Sequence, residues 1–319
     1  QDDQTRDHTS ERGSISHGVS SRNGRISLPR KCGRPVCILA PGPANVSYGL
    51  DRSPRLTQRA LLMSSWRVRW ALAEMSDLSN VSKHREALHR SWTFWVALLL
   101  KLAPHVWPFT IQLRLKHGGV FVVKEFMTLF IYKEVFVDGC YDLPFETSPE
   151  PFIVDVGANT GLFIIRMKQL YPRSNVLGYE PLPSNYAQLR RNLELSGLHD
   201  VETVMKGVGG TQRREKLYVH RRNIGGHSLY QSQTGGSESI DIDLVDVQGL
   251  LLAMNGKICN LLKLDCEGAE REIILSIGEE TAARIENILF EATPALYNVD
   301  ELLAHLERIG YRVGRHHRL

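Results

Sequence analysis

With 319 residues and 42% hydrophobic side chains, the chain is long enough for one large domain or two small ones around a sizeable core. Its formal net charge of +4 is unevenly divided: residues 1–105 hold 16 Lys and Arg against 8 Asp and Glu, and the remainder is net acidic. The basic excess therefore belongs to the leader, and the charge gives no reason to expect nucleic-acid binding.

From Gln1 to about Pro54 the leader is rich in Ser, Arg, Gly and Pro with no sustained apolar period, and it reads as disordered. From Arg12 to Trp70 there are 11 basic residues and one acidic residue, Asp51, a composition resembling an organelle transit peptide. Asp2, Asp3, Asp7 and Glu11 at the start spoil that signal, so a tail without a role is the competing expectation. A first residue other than Met marks the chain as processed or as a fragment. Thr57 to Leu72 suits a basic helix with Trp66 and Trp70 on its apolar positions. Phe94 to Leu100 is seven uninterrupted apolar residues, far short of the roughly 20 needed to span a bilayer. Residues 92–107 are expected to dock on the domain or to touch a membrane surface. Pro104 and Pro108 mark a boundary, giving a leader over 1–105 and a domain over 106–319.

The five cysteines, Cys32, Cys37, Cys140, Cys259 and Cys266, have neither disulfide-framework nor zinc-ligand spacing, so reduced thiols and an intracellular setting are expected. Ile111, Leu113 and Leu115 alternate with polar residues, His117-Gly118-Gly119 is a turn, and Val120 to Val123 returns, which predicts a hairpin. Phe126 to Phe136 is apolar enough for a buried helix. Glu134 to Pro144, EVFVDGCYDLP, leads into the next strand, with Tyr141 and Asp142 either touching a ligand or serving as a packing tyrosine and a turn acid.

The stretch from Phe152 to Glu180, FIVDVGANTGLFIIRMKQLYPRSNVLGYE, says most about function. Phe152 to Val156 reads as a strand buried on both faces, with Asp155 near its end. Gly157 and Gly161 bracket Ala158, Asn159 and Thr160, and Leu162 to Leu170 has helical spacing. Strand, glycine turn and helix together place backbone N–H groups above the strand ends, where open α/β sheets bind ligands. Asn175 to Glu180 is the next strand, ending on a carboxylate 19 residues beyond Gly161 that can accept both hydroxyls of a ribose. The turn is G-x-x-x-G, neither the G-x-G-x-x-G of dinucleotide sites nor a phosphate loop. A nucleoside without a pyrophosphate fits, and S-adenosylmethionine is the commonest such ligand.

Pro181 and Pro183 open a helix to about Ser196, Val201 to Val204 is a strand, and Lys206 to Gly210 a glycine-rich turn suited to an adenine or to nothing. Leu217 to Val219 and Ile240 to Leu244 pair around the loop Asn223 to Ser228, and Asp246 is a helix N-cap. Leu261 to Glu270, LLKLDCEGAE, reads as a buried strand ending at Asp265 and a helix from Gly268 to Ile277. Asp265 thus faces the ligand crevice, where it can position an acceptor or take its proton. Glu267 and Glu270 sit where first-turn acids stabilise a helix N-terminus, so a structural role competes with a catalytic one. Ile288 to Glu291, Val299 to Ile309 and Tyr311 to Val313 read as strand, helix and strand.

DVGANTG with Glu180, LLKLDCEGAE, EVFVDGCYDL and the order of elements together resemble the FkbM family of S-adenosylmethionine-dependent methyltransferases over about Thr110 to Tyr311. The resemblance implies a class I methyltransferase fold, α/β and Rossmann-like, with a mostly parallel sheet and helices on both faces. It also implies action on a hydroxyl oxygen, with the donor contacting Asp155, Gly157, Asn159, Gly161 and Glu180, and Asp265 near the methyl group. A small-molecule or carbohydrate hydroxyl is the expected acceptor. For an alcohol acceptor a base is needed: His227 in the loop GGHSL is the first candidate and Asp265 the second. No metal is indicated. A nucleoside-binding protein without turnover and a nicotinamide oxidoreductase are the competing classes, the second set back by the glycine spacing.

Overall fold

The computed structural model describes residues 34–39, 67–102, 109–142, 147–219, 228–229 and 238–316. Its centre is a seven-stranded sheet in which every pairing is parallel. In spatial order the strands are β12 (Tyr311–His316), β1 (Arg34–Leu39), β11 (Ile288–Glu291), β10 (Leu261–Leu264), β4 (Phe152–Val156), β5 (Asn175–Tyr179) and β6 (Glu202–Val204). The inner strands are short apolar runs because both of their faces are covered. Alternate residues of one strand enter different cores: Ile153 and Leu261 join the core beneath the first hairpin, whereas Val154, Val156, Leu262 and Leu264 join the one formed with Ile273, Phe290 and Leu302. Neighbouring β4 and β10 bring the two motif-bearing strand ends side by side, with Lys263 directly opposite Asp155.

Helix α5 (Leu162–Leu170) follows β4 and buries Leu162, Phe163, Ile164, Ile165 and Met167. Helix α6 (Pro183–Leu195) follows β5, starts on Pro183, whose missing N–H costs nothing there, and buries Leu189 and Leu193. Its Asn192 accepts from Val122 N at 2.9 Å and donates to Thr160 O at 2.8 Å, tying the hairpin of β2 (Ile111–Arg114) and β3 (Val120–Val123) to the glycine turn. A second small sheet, β7 (Gly207–Val208), β9 (Ser239–Val245) and β8 (Arg213–Tyr218), stands beside the main one. Asp246 caps α7 (Val247–Ala253), accepting from Gly249 N at 2.8 Å.

Three expectations change. The boundary at residues 105–106 is not a break in packing: residues 67–76, α2 (Leu78–Ala87) and α3 (Trp92–Leu102) are helical, and Ala71, Leu88, Phe94, Ala97 and Leu98 are buried in the same core as Phe121 and Leu129. Of these, Trp92–Leu102 docks on the domain, one of the two outcomes expected of residues 92–107, whereas the basic residues of α2 hid its buried face. Arg34–Leu39, inside the stretch read as disordered, pairs as a strand, since the short run Val36 to Leu39 is long enough to lie between two others. Of the helix expected over Thr57 to Leu72, residues 67–72 are helical; its earlier part and the transit-like stretch lie outside the described residues. Finally, the helix expected over Phe126 to Phe136 is α4 (Phe126–Tyr132) followed by a π-helical turn, Lys133–Val137, closed by Asp138 N donating to Lys133 O at 2.8 Å. Among the described residues no helix is long and apolar enough to cross a membrane.

Candidate active site

The carboxyl ends of β4, β5 and β10 open into a cleft lined by Val156, Gly157, Tyr179, Glu180, Asp265 and Glu267. One wall is the glycine bend and Glu180. Gly157 and Ala158 both donate to Tyr179 O, which folds the bend over the end of β5. Gly157 has φ +81°, and a Cβ there would stand 1.9 Å from the carbonyl oxygen of Asp265, so only glycine lets the two motif loops meet. Asn159, also left-handed at φ 48°, donates its N–H to Glu180 Oε2 at 2.8 Å, and Leu182 N donates to Oε1 at 3.0 Å. Burial pushes Glu180 up to about 7 even though these two backbone N–H groups pull the other way. Its carboxylate is thus held by the chain at the cleft wall, each oxygen keeping a lone pair beyond its backbone bond.

The second wall is the loop after β10. Glu270 accepts from Cys266 N and Gly268 N, both at 2.8 Å, and from the Tyr297 hydroxyl at 3.2 Å, which makes it the staple of the Asp265–Gly268 turn. Asp265, Cys266 and Glu267 line the cleft. Burial, then the neighbouring carboxylates of Asp265, Glu291, Glu270 and Glu134, push Glu267 well above the usual range. Ser228 donates to Glu267 O at 2.6 Å and exchanges backbone hydrogen bonds with Tyr218, which brings Leu229 to the cleft beside Leu217, Ile242 and Leu244. This apolar wall is suited to a flat heterocycle.

Beneath the cleft, Asp155 is fully buried and Lys263 nearly so. Lys263 Nζ lies 3.0 Å from Asp155 Oδ1 and 3.3 Å from Asp265 Oδ2. Burial pulls the Lys263 ammonium down, but the two carboxylates outweigh it and hold its pKa above the ordinary value. Asp155 is raised by burial against the pull of Lys263.

Of the residues singled out beforehand, Gly157, Asn159, Glu180 and Asp265 line one cleft. Asp155 stands behind it rather than in its wall. Gly161 is the N-cap of α5 at φ +83°; its Cβ position faces Leu189 at 2.5 Å, so that glycine serves helix packing and does not line the cleft. His227 lies outside the described residues. Tyr141 is buried with its hydroxyl 3.2 Å from Asp265 Oδ2, and Asp142 pairs with Arg166. Lys263 was not among the residues singled out; the one signal that could have raised it is a lysine inside the buried run LLKL.

An open parallel sheet with a glycine bend after one central strand and an acid after its neighbour is the framework of a class I methyltransferase. The Methyltransferase FkbM domain profile matches residues 155–313. The chain is 32% identical over 204 residues to "Methyltransferase 1" of Beauveria bassiana (strain ARSEF 2860), covering 58% of this chain and 81% of that protein. It is 31% identical over 224 residues to "Methyltransferase sdnD" of Sordaria araneosa, covering 61% and 86% respectively. With "31-O-demethyl-FK506 methyltransferase FkbM" of Streptomyces tacrolimicus it shares 27% identity over 232 residues, covering 63% and 88%. This chain belongs to the FkbM methyltransferase family, and it is a methyltransferase.

Proposed function

We propose that the protein transfers a methyl group from S-adenosylmethionine to a hydroxyl oxygen of a small molecule or carbohydrate. The observation that carries the donor assignment is Glu180, a carboxylate anchored by Asn159 N and Leu182 N in the wall that Gly157 and Asp265 share. The donor set fits the compound. Glu180 keeps acceptor capacity for a ribose diol, Leu229, Ile242 and Leu244 offer an apolar wall for adenine, and the glycine bend leaves room for the amino-acid end. The acidic surroundings, Asp155 and Asp265 against one Lys263, suit a cation.

When bound, the donor supplies a methyl group already activated by its sulfonium. The protein's remaining task is to hold the acceptor oxygen in line, and positioning of that kind can supply about 7–11 kcal/mol. Asp265, half-exposed at the cleft, accepts a hydrogen bond from the acceptor hydroxyl. His227, the first candidate base by sequence, and Asp265, the second, are the groups to test as the proton's destination. Support for oxygen as the target comes from the Streptomyces tacrolimicus relative, whose name describes an O-methylation.

Calorimetry with S-adenosylmethionine and S-adenosylhomocysteine, followed by transfer of labelled methyl to a panel of hydroxylated acceptors, tests the reading. Binding of both compounds, weakened in Glu180→Ala, is the expected result. Absence of heat with either compound would remove the donor assignment, and turnover only on amines would remove the oxygen assignment.

A further inference from the structure

We propose that Lys263 is a positioning residue for methyl transfer: its ammonium, clamped between Asp155 and Asp265, works with the Tyr141 hydroxyl to pin Oδ2 of Asp265 and so presents Oδ1 to the acceptor. The proposal rests on the reading of Asp265 as the acceptor-side carboxylate.

The strand register makes the clamp. Lys263 on β10 lies directly opposite Asp155 on β4, and from there Nζ reaches Asp155 Oδ1 at 3.0 Å, Asp265 Oδ2 at 3.3 Å and Gly157 O at 3.5 Å. One ammonium thereby touches the last carboxylate of β4, the bend that follows it and the first carboxylate after β10. Its remaining surroundings are aromatic, with the Phe163 ring centroid at 5.2 Å and that of Tyr141 at 5.7 Å. Tyr141 closes the arrangement from a different part of the chain: its hydroxyl donates to the same Oδ2 at 3.2 Å, while its ring packs edge-on against Phe163 at 5.2 Å. Two donors therefore meet on Oδ2. Among the described residues no hydrogen bond reaches Oδ1, and Asp265 lines the cleft.

Stability does not account for such a lysine. A buried ion pair repays little of its desolvation, and apolar side chains of similar volume in its place are often neutral or stabilising. The rest of β10 is leucine, so an apolar residue would suit position 263. The pair is also incompletely satisfied: Asp155 Oδ2 is buried with no hydrogen-bond partner among the described residues, a state that costs stability rather than adding it. What the lysine does accomplish is geometric. It fixes a cleft carboxylate from beneath while contributing no atom to the cleft wall, and it leaves the two carboxylates with an excess of negative charge beside a site proposed to hold a sulfonium.

The test combines four variants. Lys263→Met alone strands Asp155 in the core and can fail to fold, so Lys263→Met/Asp155→Asn removes both buried charges together, with Asp155→Asn alone as its control. Lys263→Arg keeps the charge, and Tyr141→Phe removes only the hydroxyl. Since a misplacement of about 1 Å can cost roughly a hundredfold, the double variant is expected to lose kcat on that scale with donor Kd and acceptor KM little changed. Asp155→Asn and Tyr141→Phe should lose less, and Lys263→Arg should recover part of the rate. In a crystal structure of the double variant the Asp265 carboxylate should leave its present orientation. Unchanged kcat in the double variant, an equal loss in Asp155→Asn alone, or an undisturbed Asp265 side chain would overturn the clamp. Wild-type calorimetry with S-adenosylhomocysteine separates the two ideas: no heat there sinks the donor reading, while the orientation of Asp265 in the double variant still decides the clamp.

Discussion

Two buried polar clusters in this molecule are made of similar parts and finished differently. In the helical region before the first hairpin, His84 is fully buried with Nε2 2.9 Å from Glu74 Oε1 and Nδ1 3.2 Å from the Tyr132 hydroxyl, and its ring stacks on Phe94 with centroids 3.9 Å apart. Both ring nitrogens are used, and Lys133 lies 3.9 Å from the second oxygen of Glu74. Under the cleft, the Asp155–Lys263–Asp265–Tyr141 cluster leaves Asp155 Oδ2 without a partner and Asp265 Oδ1 open. A closed network fixes a fold. One that leaves an acceptor of Asp265 open at a cleft is prepared for something that arrives later.

That contrast can be broken or sharpened by experiment. The largest effect is expected at Gly157→Ala, where a side chain would meet the Asp265 carbonyl from a left-handed backbone position. Urea unfolding should show a loss above about 4 kcal/mol, with the donor site lost as well. His84→Phe keeps the stack on Phe94 but deprives Glu74 and Tyr132 of their partner, and it should cost about 1–3 kcal/mol while leaving donor affinity in the folded protein unchanged. A change in donor affinity there would erase the distinction between the clusters.

Glu180 gives a third, pH-dependent test. Its folded pKa of about 7 lies above its ordinary value of 4.5, so the fold binds that proton more tightly than the unfolded chain does. The stability it contributes is fully present below 4.5 and is lost as pH rises through 7. On the proposed donor reading, binding should run the other way, because a ribose diol would need the ionised carboxylate. Calorimetry should show affinity level above pH 7 and falling by about tenfold per unit below it, a dependence that Glu180→Gln flattens. The smallest effect belongs to neither cluster: Asp246→Ala removes a helix cap and should cost about 1 kcal/mol in the same unfolding assay.

Much of the sheet was legible from local composition. Phe152–Val156, Leu261–Leu264 and Ile288–Glu291 are short apolar runs between turn signals, and the structure gives them the bounds the sequence suggested. Gly157, Asn159, Glu180 and Asp265 were legible as cleft residues because strand ends and glycine bends announce themselves in a few consecutive letters. Contacts across the sheet were not. Lys263 and Asp155 are 108 positions apart, and their pairing depends on a register that neither strand states alone. Gly161 shows a related difficulty: a glycine required by Leu189 on the next helix looks, in one dimension, like a glycine required by a ligand. The helix Leu78–Ala87 escaped notice because Lys83, His84 and Arg85 run through it, and the partner that decides its buried face, Tyr132, lies far along the chain.

The widened turn at Lys133–Val137 joins the two clusters along the chain, with Tyr132 at its entry and Tyr141 a few residues past its exit. Rewinding these same residues as ordinary α-helix, with none removed, would swing whatever follows by about 100° about the helix axis. Tyr132 would keep its place against His84, whereas Tyr141 would be carried off Asp265. The wide turn thus absorbs a residue that ordinary winding would not, and so sets the angle at which the scaffold hands a hydroxyl to the chemistry.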